Sequence, residues 1–170
     1  MLEQIRMEHA EDLASLVDHN RAYLKKFLPW LDLSKTIDDS RFFINKCQEN
    51  FQKDGAPNFA VLYRDQLVGM NGFHPIDTIN RNGSIGYWIG ENYQSQGITT
   101  ATTKAVINYG FTTMDLHRLE IRCAVDNVAS ERIAQKLGFK FEGVKRQVEW
   151  LYDQFIDNKV YSLLKKEFSN

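Results

Sequence analysis

Up to Pro57 the apolar residues recur every three or four positions, and directly after it they recur every second one. The first spacing marks a helix face and the second a strand with one buried side, so helices and a sheet must share a core. In the front part, His9 to Val17 sets Ala10, Leu13, Ala14, Leu16 and Val17 on one stripe, with acidic residues where the helix dipole favours them. Asn20 to Leu31 carries Tyr23, Leu24, Phe27, Leu28 and Leu31 at similar spacing, and Pro29 should disturb or end that helix. From Ile37 to Lys53, the residues Phe42, Phe43, Ile44, Cys47 and Phe51 suit a third helix, closed by Asp54-Gly55-Ala56-Pro57. Phe27, Trp30, Phe42 and Phe43 are expected mainly to face the core, with the alternative that some of them shape a binding site instead.

Beyond Pro57, residues 58–63 and 67–73 read as a hairpin turned at Arg64-Asp65-Gln66, and 84–89 as a third, aromatic strand. Gly97 opens a helix over 98–113. A strand over 117–125 follows, then a helix over 129–137 stopped by Gly138, and two closing strands over 139–150 and 155–165. No repeat, low-complexity tract or linker interrupts the series. The expectation is a single α/β (α+β) domain over residues 1–170, with helices packed around one sheet.

Composition bounds the function. The 170 residues carry 21 Lys+Arg against 22 Asp+Glu, a formal net charge of -1. Proteins whose binding rests on phosphate neutralisation are strongly basic, so DNA is not an expected partner, although a local RNA-facing patch stays open. Cys47 and Cys123 are the only cysteines. They cannot build a disulfide framework or a cysteine zinc cluster, and they suit a reducing cytoplasm. His9, His19, His74 and His117 lack metal-ligand spacing, so no metal is expected and each reads as an ordinary surface or structural histidine. Neither a membrane span nor a secretory signal is expected.

The most informative stretch runs from Ile85 to Thr100, a strand leading through a short polar loop into a helix. The first helical turn has free N–H groups and the positive end of the dipole, a seat for pyrophosphate. Gly97 lets the main chain approach such a ligand closely. Thr99 and Thr100 can add hydroxyl donors. Neither a GxxxxGK[ST] nor a GxGxxG pattern is present, so nucleoside triphosphates and NAD lack support. In a second stretch, Asp126 to Phe139, Asn127 caps a helix, Ser130 lies in its first turn and Gly138 ends it.

Together these stretches resemble the GNAT superfamily of acyl-CoA-dependent N-acyltransferases, and within it the ribosomal-protein N-terminal acetyltransferases of the RimJ/RimL type. That superfamily's loop reads Q/R-x-x-G-x-G/A, matched by Gln94-Ser95-Gln96-Gly97-Ile98-Thr99 at its first and fourth positions. Asn20 to Asp32 is similar to the subfamily's N-R-x-x-L-x-x-W-L-P-W helix. Gly86-Tyr87-Trp88-Ile89, Asn127-x-x-Ser130 and Tyr161-Ser162-Leu163-Leu164 are also typical of it. Thr99 departs from the small residue of the general loop. Ala134 stands where many relatives have a tyrosine acid, which excludes a tyrosine acid there.

The resemblance implies a mixed, mostly antiparallel sheet and direct acetyl transfer from acetyl-CoA to an amine, without an acyl-enzyme. It assigns the donor site to Trp88, Ile89, Gln94, Ser95, Gln96, Gly97, Ile98, Thr99, Thr100, Asn127 and Ser130. Ser130, with Asn127, carries the catalytic role of hydrogen-bonding the departing thiolate. Main-chain N–H groups around Trp88 and Ile89 would hold the developing oxyanion. An α-amine, with a pKa of about 7.7–8.0, is deprotonated more readily than a lysine at about 10.4, which favours a protein N-terminus as acceptor. The base stays open among Glu91, Glu149 and Asp157. A small-amine acceptor, polyamine or aminoglycoside, is the second reading, hinted at by Asp38-Asp39 and opposed by Lys25-Lys26. A non-catalytic acyl-CoA-binding regulatory module is the third. The sequence leaves the oligomeric state open, a homodimer included.

Overall fold

The chain opens with a three-residue strand, β1 (Leu2–Gln4), then α1 (Ala10–His19), the short α2 (Arg21–Leu24) and the long α3 (Ile37–Asp54). A hairpin follows, β2 (Asn58–Tyr63) and β3 (Gln66–Phe73), then β4 (Asn82–Ile89) and α4 (Ile98–Thr112). The remainder is β5 (Arg118–Ala124), α5 (Val128–Lys136), β6 (Lys140–Leu151) and β7 (Gln154–Leu164). The computed structural model describes residues 1–168.

Local chemistry explains most boundaries. At the β2–β3 turn, Arg64 and Asp65 both take positive φ (51° and 63°), the conformation whose twist suits a tight hairpin. α3 starts at a capping box: the Thr36 hydroxyl accepts from the Asp39 N–H, and the Asp39 carboxylate accepts from the Thr36 N–H. It stops at Gly55, whose φ of 73° is a left-handed cap.

The second expected helix is corrected. It covers Arg21–Leu24 only, and the chain to Leu33 consists of turns and a short 3-10 helix. Pro29 disfavours a helical Leu28, and the Arg21 guanidinium takes over the carbonyls of Leu31 (2.8 Å) and Ser34 (2.7 Å). β1 carried too few residues to reveal an alternation.

The strands form one seven-stranded sheet in the order β1-β2-β3-β4-β5-β7-β6. Every pairing is antiparallel except that of β4 with β5. On one face α4 and α5 cover a core of Phe73, Ile85, Ile107, Phe111, Leu119 and Leu163. On the other, α1 and α3 bury Leu13, Val17, Ile44 and Cys47 against Ala60 and Met70. Each fully buried Leu, Ile or Phe contributes about 1.5–3 kcal/mol relative to exposure, so both faces are held by hydrophobic burial.

The one parallel pairing creates the site. β4 and β5 pair only from Asn82↔Arg118 to Ile85↔Ile121. β4 nevertheless stays on β3 as far as Gly69↔Ile89, and β5 stays on β7 as far as Ala124↔Asn158. Past Ile85 the sheet therefore splits, and the β4 edge from Gly86 to Ile89 faces a gap.

Candidate functional site

Two cavities enter this gap from opposite sides. The smaller, about 260 Å³, is walled by the Tyr93–Thr100 segment, the end of β4 and the first turns of α5. The larger, about 970 Å³, lies between α3 and the β5-β7-β6 half of the sheet. Both are lined by Phe27, Leu28, Tyr87, Trp88, Asn127 and Ser130, which places these side chains at the junction.

The smaller cavity ends on the N-terminus of α4. Gly97 is its N-cap, with φ of 76° and no capping side chain, and Ser95 also takes a positive φ of 58°. A side chain at position 97 would meet nothing within 4 Å, so glycine answers a backbone requirement rather than a lack of space. The first intrahelical bond of this turn runs from the Ala101 N–H to the Gly97 carbonyl at 3.0 Å. The preceding N–H groups keep the donor capacity of a helix start. That cradle suits a diphosphate. Gln94, Ser95, Gly97, Ile98, Thr99 and Thr100 all line the cavity. Gln96 does not: its amide donates instead to the Asn92 carbonyl at 2.9 Å. Arg132 lines the same wall and adds a cation that the sequence motifs had not marked.

At the junction, Asn127 caps α5 by accepting the Ser130 N–H at 3.1 Å. The Ser130 hydroxyl lies 3.0 Å from that of Tyr87, which also donates to the Ser130 carbonyl at 3.2 Å. Burial pushes the Tyr87 phenol well above its ordinary range, so it stays a neutral hydrogen-bonding group.

The β4 main chain refines the expected oxyanion donors. Bonds from the His74 N–H to the Ser84 carbonyl (3.0 Å) and from the Gly90 N–H to the Val68 carbonyl (2.8 Å) fix the phase of the β3–β4 ladder. Alternation then commits the Trp88 N–H to Met70 and turns the Tyr87 and Ile89 N–H groups toward the gap. Of the two expected residues, Ile89 thus turns its N–H to the gap and Trp88 does not, and the N–H of Tyr87 faces the gap as well. The Trp88 ring packs on Trp30 at 5.9 Å between centroids, closing one side of the junction.

The larger cavity collects polar groups from distant segments. Glu149 lines it, and its carboxylate accepts from the Asn158 amide at 2.9 Å. Glu91 and Asp157 do not line it. The Asp157 carboxylate is bound to the Gln147 N–H at 2.8 Å, and Glu91 sits in a short 3-10 helix on the other side of the gap. Of the three carboxylates, Glu149 alone faces the space where an amine could approach.

His74, read from the sequence as an ordinary histidine, also lines this cavity. Its ring lies over Gly86, where a Cβ would come within 2.7 Å of Nε2. Desolvation and the nearby Arg122 guanidinium push its pKa below the usual value, while Glu149 opposes them. Cys123 lies on the same wall, and burial is the main cause that raises its thiol pKa; burial likewise pushes Cys47 up to about 12. Neither is an activated thiolate nucleophile.

Among the aromatic residues of the front helices, Trp30 packs against the core as expected while also lining the larger cavity. Phe42 and Phe43 are a correction: 64% and 41% exposed, they line the cavity rather than the core, and the half-buried Phe27 lines it with them. Ile44 and Cys47 supply the buried stripe of α3 instead, and the two phenylalanines, on a different part of the helix surface, line the cavity that separates α3 from the sheet. Of the Asp38-Asp39 pair, Asp39 lines the larger cavity and Asp38 lies exposed on the surface. Asp38 pairs with Arg41 at 2.8 Å, and Asp39 accepts the Lys35 and Thr36 N–H groups and the Thr36 hydroxyl.

Comparison with known proteins fits this geometry. A model of the acetyltransferase (GNAT) domain matches residues 1–140. The ribosomal-protein-serine acetyltransferase of Escherichia coli is 30% identical over 161 residues, 95% of this chain and 90% of that protein. Among solved structures, the RimL ribosomal L7/L12 α-N-protein acetyltransferase with coenzyme A superposes at a TM-score of 0.92, with 28% identity over 96% of this chain and 92% of the other. The microcin C7 self-immunity acetyltransferase MccE, with acetyl-CoA and AMP, superposes at 0.90 with 30% identity over 96% and 91%. With a split sheet, a glycine-opened helix start at one cavity and a second cavity meeting it, the chain belongs to the GNAT acetyltransferase family and is an acetyl-CoA-dependent N-acetyltransferase.

Proposed function

We propose that this single-domain enzyme, acting in the cytoplasm, acetylates the N-terminal α-amine of a protein, and that this protein is a ribosomal one. The observation that carries the reading is the size and lining of the second cavity. At about 970 Å³, with Phe42, Phe43, Trp30 and Val148 on its walls, it suits several residues of an extended peptide better than a single small amine. The E. coli and RimL relatives act on ribosomal proteins by name, which supports the same acceptor class. A polyamine would call for free carboxylates in the cavity, and Asp39, which lines it, is already held by the Lys35 and Thr36 N–H groups and the Thr36 hydroxyl.

In this reading the smaller cavity takes the donor, with Arg132 and the α4 N–H groups on the diphosphate. The Tyr87 and Ile89 N–H groups donate to the thioester oxygen as it gains charge. Glu149 takes the proton from the attacking amine, and the neutral His74 ring beside it adds no positive charge to repel an ammonium group. Ser130, oriented by Tyr87 and by the Asn127 cap, hydrogen-bonds the departing sulfur. A serine hydroxyl is a weak acid, so its contribution is hydrogen bonding to developing charge rather than full proton transfer.

The test is release of CoA from acetyl-CoA with peptides bearing free Ser, Ala or Met N-termini, the same peptides blocked, and spermidine. The product is located by mass spectrometry. Acetyl on the α-amine of free peptides only is the expected result. Turnover of spermidine alone would replace the acceptor class.

A further inference from the structure

We propose that Asp157 and Asn158, neighbours on β7, are positioning residues that hold Glu149 in the acceptor cavity. The inference rests on the reading of Glu149 as the base and adds how it is placed. β6 pairs with β7 at Lys145↔Asn158 and resumes at Glu149↔Ile156. Three residues of β6, Arg146, Gln147 and Val148, thus oppose the single Asp157. In an unbroken antiparallel ladder Glu149 would lie opposite Gln154. The two extra residues carry it along β7 by two positions, roughly 7 Å at a strand's rise per residue, toward the cavity and Asn158.

That bulge has two side-chain ties. At its tip Gln147 takes a φ of 49°, and its N–H donates to the Asp157 carboxylate at 2.8 Å. The Asn158 side chain is buried, at 7% exposure, and its Nδ2 donates to Glu149 Oε2 at 2.9 Å. Its Oδ1 has no hydrogen-bond partner among the described residues. A buried amide oxygen without a partner is a cost that a smaller or apolar residue would avoid. The bond to Glu149 explains why an amide stands there nonetheless.

The experiment is a double-mutant cycle on the full chain, with a free N-terminal peptide as acceptor. Asn158→Ala should lower kcat/KM about 10- to 100-fold, the range for a lost hydrogen bond to a charged group. Acetyl-CoA affinity should stay within about twofold. In a Glu149→Gln background the same substitution should change little, because the group it positions has already been replaced. Asp157→Ala should slow the enzyme, whereas Asp157→Asn, which keeps the oxygen that accepts the Gln147 N–H, should largely restore it. Asn158→Ser is the second variant if the alanine protein does not fold. Equal losses in both backgrounds, or a loss that follows thermal stability or acetyl-CoA affinity, would overturn the proposal. A slow Glu149→Gln beside a full-rate Asn158→Ala sinks the clamp alone, while a full-rate Glu149→Gln sinks the base reading and the clamp with it.

Discussion

The two cavities differ in how they are made. The proposed donor side centres on one run of chain, Tyr93 to Thr100, which offers main-chain N–H groups at a helix start, with α2, β4 and α5 completing its walls. The acceptor side takes side chains from α3, β3, β5, β6 and β7, with Glu149 reaching it from β6 and His74 from the loop just past β3. A main-chain seat tolerates variation in its side chains, as Thr99 illustrates. A side-chain site depends on the register and bulges that aim each group. Donor recognition is thus local and robust, and acceptor recognition is distributed and adjustable.

That contrast can be broken at either end. The largest effect is expected at Glu149: Glu149→Gln should lower kcat by about 10²–10⁴, the usual contribution of a general base, while isothermal titration shows unchanged CoA affinity. Next comes Gly97→Val, which forces a β-branched residue to a φ of 76° and disturbs the first turn of α4. CoA affinity should fall by about tenfold or more, consistent with roughly 1–2 kcal/mol of left-handed strain. A Gly97→Val protein that binds CoA normally would remove the backbone from the account.

Phe43→Ala should be milder and confined to the acceptor. The side chain is 41% exposed, so thermal stability should hardly change, whereas the peptide KM should rise several-fold. The smallest effect concerns His74, whose folded pKa is depressed, first by desolvation. The unfolded chain then binds the proton more readily than the folded one. The associated stability is present above about pH 6.5 and is lost as the pH falls through the folded value. Melting curves of His74→Gln should lack that part of the acid dependence.

The same contrast explains what could be read from the sequence. The strands from β2 to β7 were legible after the change of period at Pro57; one buried face imposes alternation on β4 and β5, whereas β3 is buried on both faces and β6 is largely exposed. Gly97 and Asn127 were legible because a left-handed cap and an N-cap are properties of single residues. Helix periodicity grouped Phe42 and Phe43 with Ile44, but it could not tell that a cavity lies between this part of α3 and the sheet and takes both rings. His74 and Asn158 carried no signal, since their meaning arises from what β4 and β6 bring beside them. Glu149 stood level with Glu91 and Asp157 until the β6 bulge separated the three.

Ser130 stands where the cavities meet, and its replacement tests the account most directly. Stopped-flow turnover and equilibrium CoA binding would be compared for wild type and Ser130→Ala. The account predicts a rate lower by about 10²–10³, the cost of deleting a donor to developing charge, with CoA affinity nearly unchanged. A normal rate, or a loss wholly explained by weaker CoA binding, would contradict it.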